Sequence, residues 1–99
     1  MSKFVKTTRN EEGCLYYGWT ICDDKLFCRE AYIDGNAVNI HLKNVGPLIN
    51  EFLESAGKLD SIDIMGPSKE IEVVREGTEG FGTKYYKVHS GFTNFTDML

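Results

Sequence analysis

Apolar and polar residues alternate with a period of two along much of this chain, the spacing of a strand with one buried face. Lys3 to Thr8 predicts a first strand, ended by the turn-like run Arg9 to Gly13. Cys14 to Cys22 is rich in aromatic and β-branched residues and sets Leu15, Tyr17, Trp19 and Ile21 on one face. Asp23-Asp24 is a polar break, and Lys25 to Ile33 returns as the next strand. Asp34-Gly35 reads as a tight hairpin turn, because such turns need residues that tolerate positive φ. Ala37 to Lys43 then alternates, with Val38, Ile40 and Leu42 inward and Asn39 and His41 outward. The first half therefore predicts an antiparallel meander.

A helical period follows. Val45, Leu48, Ile49, Phe52, Leu53 and Ala56 fall on one apolar stripe, with Pro47 suited to a first turn and Gly57 to the C-terminal cap. Either Asn44 or Gly46 serves as N-cap. Strands are predicted again at Ser61 to Met65, with Ile62 and Ile64 inward, and at Lys69 to Arg75, with Ile71 and Val73 inward. A glycine-rich loop, Gly77 to Gly82, precedes a last strand at Thr83 to His89. The expected fold is α+β: an antiparallel sheet of about six short strands, in the order β-β-β-β-α-β-β-β, curled on a single amphipathic helix. One domain spans 1–99, and an apolar tail over 91–99 (Phe92, Phe95, Met98, Leu99) packs on it or on a partner. A single helix ~10 Å wide cannot cover a flat sheet of that size, so the sheet curls or a partner closes its second face.

Composition narrows the class. With 99 residues, 41% hydrophobic and 26% charged, the chain suits one globular domain. No apolar run approaches the ~20 residues of a membrane helix. Charges at Lys3 and Lys6 fall where a signal peptide needs its apolar stretch, so a soluble, cytoplasmic chain is expected. Cys14, Cys22 and Cys28 are then reduced thiols, and their spacing does not match a zinc knuckle. The net charge of −4 is uneven. Residues 1–44 are neutral, whereas between Glu51 and Glu79 eight carboxylates face Lys58, Lys69 and Arg75, a net −5. That field repels phosphate backbones and attracts basic surfaces, which argues against direct nucleic-acid binding.

Candidate chemistry is sparse. Gly77 to Lys84 resembles a phosphate loop only in its glycine spacing: the Thr83-Lys84 order is inverted, Glu79 sits inside it, and a strand follows. No cysteine or serine lies in a local nucleophile signature with His41 or His89. Glu70 and Glu72, alternating with Ile71 and Val73, read as a solvated strand face. No catalytic residue, cofactor or metal is expected. The leading expectation is a small non-enzymatic inhibitor or regulator, of the kind a virus encodes against a host defence or nucleic-acid-binding machine. It would occupy a basic surface of a larger protein through Glu70, Glu72, Glu76, Glu79, Phe81 and Tyr85. The alternative is a small-ligand binder or minor enzyme, its pocket between helix and sheet closed by the 77–82 loop, with His89, Tyr85 and Cys22 as lining groups. A subunit that pairs as a homodimer through an uncovered sheet face is the third reading.

Overall fold

The computed structural model describes residues 2–55 and 57–94. Its elements run α1 (Ser2–Arg9), β1 (Cys14–Cys22), β2 (Lys25–Tyr32), α2 (Gly35–Ser55), β3 (Asp63–Gly66), α3 (Ser68–Thr78), a 3-10 turn (Glu79–Phe81) and β4 (Lys84–Lys87). The protein is α+β, but the expected sheet of about six strands on one helix is wrong. Among the described residues there are four strands, β1 and β2 antiparallel in one sheet and β3 and β4 parallel in another, and three helices.

The largest correction is at Asp34-Gly35. Instead of a hairpin turn, Asp34 caps a helix: its Oδ1 accepts the Ala37 N–H at 2.8 Å. Aspartate favours both roles, and the following residues decide between them. Ala37, His41 and Val45 are buried at intervals of four, so the period-two alternation of Val38, Ile40 and Leu42 was incidental and Ile40 is exposed. The helix runs 21 residues, about 31 Å, straight through Asn44, Gly46 and Pro47, where a start was expected. At its far end the Gly57 N–H bonds the Phe52 carbonyl, and a Cβ on Gly57 would collide with the Phe52 ring.

Two other expected strands are helices for the same reason. In α1, Phe4 and Thr8 are buried one turn apart, and Phe4 meets Trp19 edge-on with ring centroids 5.6 Å apart. In α3, Ile71, Val74 and Thr78 are buried, a helical spacing that leaves Val73 45% exposed where Val74 is 2%. The helix lets β3 and β4 pair in parallel, since parallel neighbours need a crossover between them. Ile64 stands opposite Tyr85 in that pair.

The core lies where α2 crosses α3 and α1: Phe4, Ala37, Val45, Ile71 and Val74. Gly35 lets α2 come close to α3, because a Cβ there would stand 2.8 Å from the Glu70 carbonyl. Asn39 Nδ2 donates to the Val73 carbonyl at 3.1 Å along the same seam. Of the predicted tail, Phe92 is 84% exposed, and Phe95, Met98 and Leu99 lie outside the described residues. No helix among the described residues is long and apolar enough to cross a membrane.

Candidate functional site

The hairpin β1–β2 turns through Asp23-Asp24, Asp23 taking a positive φ of 53°. Its register pairs Tyr17 with Glu30 and Trp19 with Cys28, so these four share a face, and Tyr32 joins them two residues on. A register shift between Cys14 and Tyr16 places Cys14 opposite Tyr32. Without that bulge, Cys14 and Tyr17, three positions apart, would point to opposite sides. This face looks onto α2, and the residue it meets is His41.

His41 is 4% exposed and bonded on both sides. Its Nδ1 lies 3.1 Å from both carboxylate oxygens of Glu11, in the loop after α1. Its Nε2 lies 3.2 Å from Glu30 Oε1. Tyr32 donates its hydroxyl to that same Glu30 oxygen at 2.5 Å, and Asn44, one turn along α2, donates to Glu11 at 3.3 Å. The rings of Tyr17 and Tyr32 each lie 5.4 Å from the imidazole. The Glu11 side chain is 6% exposed and that of Glu30 32%, so the array runs from a buried carboxylate to one that reaches solvent.

The titration of these groups follows from the geometry. Burial disfavours the imidazolium of His41, but hydrogen bonds and charge from Glu30 and Glu11 outweigh it, and its pKa stands above 6.5. Burial likewise opposes ionisation of Glu30, yet donors His41 and Tyr32 hold its pKa below 4.5. Burial first, then the negative field of Glu30, pushes the Cys28 thiol up to about 12 and raises the phenol of Tyr32. Burial and Cys28 raise Tyr17 in the same direction. The cysteine and both tyrosines thus stay protonated around Glu30 and His41, whose mutual contacts favour their charged forms.

A groove of about 250 Å³ passes beside it, lined in part by Thr8, Arg9, Glu11, Cys14 and Tyr17. Among the described residues no group of three or more His, Cys, Asp or Glu is arranged to hold a metal ion. The alternation along Ala37 to Lys43 predicts His41 outward on a strand; helix α2 turns it inward. The signal that marks it is a histidine between Ala37 and Val45 on a buried stripe, with Asn44 beside it.

The residues expected at a partner surface are divided by the fold. Glu70 turns in to accept the Gly35 N–H at 2.8 Å. Tyr85 is half-buried, its hydroxyl 2.6 Å from Thr78 Oγ1 and its ring 4.4 Å beneath the Arg75 guanidinium. Glu72, Glu76 and Glu79 are exposed at helical spacing, with Phe81 exposed beyond them on the 3-10 turn. Arg75 lies within that group, its Nη2 3.0 Å from Glu72, whose pKa it lowers. Of the alternative lining groups, Cys22 is exposed at the hairpin turn and His89 is exposed after β4, so neither stands with Tyr85 beneath α3. The 77–82 segment closes α3 and forms the 3-10 turn rather than a lid over His41.

The architecture is that of a small α+β protein in which a hairpin and a βαβ unit share one long helix. No protein-family model matches the chain, and no curated protein matches it. Among solved structures, the crystal structure of MupZ from Pseudomonas fluorescens is similar in fold, with a TM-score of 0.87 at 26% identity. The match covers 94% of this chain and 72% of that one.

Proposed function

We propose that the chain binds a small molecule in the groove beside Glu11 and uses the Glu11–His41–Glu30 array to move a proton on it. The observation that carries this reading is the imidazole with both nitrogens on carboxylates, buried between helix and hairpin. Buried ionised groups are costly as fasteners, and apolar residues of similar size often hold a fold as well or better. Arrays of this kind gather where acid–base work is done. Glu11 borders the groove and is placed to take the proton. His41 balances the charge and couples Glu11 to Glu30, which exchanges with solvent. Tyr32 and Cys28 remain donors.

A small-molecule fragment screen read by two-dimensional NMR tests this. Fragments bearing hydroxyl or carbonyl groups should shift the amides of residues 8–17, and Glu11→Gln should abolish turnover of any fragment consumed while leaving the fold intact. Fragments that ignore the groove, or turnover that survives Glu11→Gln, would overturn the reading. The exposed Glu72, Glu76 and Glu79 beside Phe81 favour a second reading, a non-enzymatic regulator that docks on a basic surface of a larger protein. Binding of that kind weakens steeply with added salt and is lost on Glu76→Lys with Glu79→Lys.

A further inference from the structure

The same histidine is also the point at which three elements are tied: α2 through His41 and Asn44, β2 through Glu30 and Tyr32, and the loop after α1 through Glu11. Both carboxylates need a donor from the ring, and only the doubly protonated imidazolium has two. A neutral ring satisfies one carboxylate and presents a bare nitrogen lone pair to the other. Among the described residues, the other groups that act on the ring and its carboxylates are not cations: Tyr17 on β1 and Tyr32 on β2 are neutral phenols, and Cys14 and Cys28 are thiols that become anionic if they titrate at all; Arg9 lies in the groove beside Glu11 but no ion pair joins the two. We infer that protonation of His41 latches the β1–β2 hairpin onto α2, and that loss of this proton releases the hairpin while the α2–α3 core stays closed.

The sign follows from linkage. The latch is complete below pH 6.5 and is lost as the pH rises through the higher midpoint of the folded protein. On the acid side it is lost as Glu30 protonates below 4.5. Between those limits the hairpin is held, and ligand access to the groove, which lies against β1, follows the same titration. This inference goes beyond the acid–base reading and survives its failure, because a latch needs no bound molecule.

The full chain carries its own probes. Trp19 is the only tryptophan; it lies on β1 against Phe4 and reports hairpin docking by its emission. His41 and the exposed His89 are the only histidines, so the two imidazole NMR signals are easily assigned. Between pH 6 and 9, the Trp19 emission should move to the red with the same midpoint as His41. Amide exchange in β1 and β2, corrected for intrinsic pH dependence, should accelerate by up to about tenfold for each pH unit by which that midpoint exceeds 6.5. Amides of α3 and β4 should not change. His41→Gln, which keeps one donor but cannot titrate, should remove the transition. Should that variant not fold, coincidence of the two wild-type midpoints still decides. A His41 titration with no change in β1–β2 exchange, or loosening of α3 and β4 alongside, would overturn the inference.

Discussion

The hairpin and the βαβ unit are attached to the same helix by opposite kinds of contact. On one side of α2, Gly35 and Asn39 lie against α3, whose Ile71 and Val74 form a dry apolar seam, each 2% exposed. On the other, His41 meets two carboxylates and two tyrosines. The apolar packing of that seam is blind to pH, and its strength scales with buried area. The polar seam is directional, depends on protonation, and leaves the opposite face of the hairpin bare, with Tyr16 and Phe27 exposed. Stability alone does not call for the second arrangement, since apolar residues of similar size often hold a fold as well, and the proposed acid–base site lies in that seam.

The contrast is broken most severely by His41→Ala. Removing the cation leaves Glu11 and Glu30 facing each other, at a cost of about 3–5 kcal/mol in urea unfolding at pH 6. Ile71→Ala, in the dry seam, should cost ~2–5 kcal/mol through its cavity, and by the same amount at pH 6 and pH 9. A pH-dependent loss for Ile71→Ala would erase the distinction between the seams. Leu48 and Phe52 are half-buried rather than core, so alanine there should cost less than at Ile71.

Smaller effects sharpen it. Pro47 sits inside α2 and is exposed, so Pro47→Ala restores a helical hydrogen bond and should stabilise by roughly 1–2 kcal/mol, net of the entropy it returns to the unfolded chain. Thermal melting checks this. Glu70→Gln should cost about 1 kcal/mol, because its carboxylate bonds the first N–H of α2. Glu72→Gln, at the surface beside Arg75, should leave the melting midpoint unchanged. Equal effects from these two glutamates would contradict the inward turn of Glu70.

Much of the chain's local structure was legible in its residues. The aromatic and β-branched runs define β1 and β2 almost to their ends, the apolar stripe from Val45 to Phe52 defines the second half of α2, β3 overlaps the strand expected at Ser61–Met65 and runs on to Gly66, and β4 falls inside the one expected at Thr83–His89. The errors share one cause. Over six or seven residues, Lys3 to Thr8, Ala37 to Lys43 and Lys69 to Arg75 fit a strand as well as a helix, because two or three apolar residues satisfy either period. Only what lay across from them decided: Trp19 against Phe4, the hairpin against His41, and Gly35 and Asn39 of α2 against α3.

The site was hidden by the same ambiguity. Glu11, Glu30, Tyr32 and His41 are scattered along the chain in a loop, a strand and a helix, with no spacing that links them. Sequence alone determined which segments are amphipathic, because that depends on neighbours along the chain. Which period each short segment adopts, and which charges meet in the interior, depends on surfaces that approach only when the chain has folded. The tertiary structure therefore decided the number of strands, the inward turn of His41 and the carboxylates that flank it.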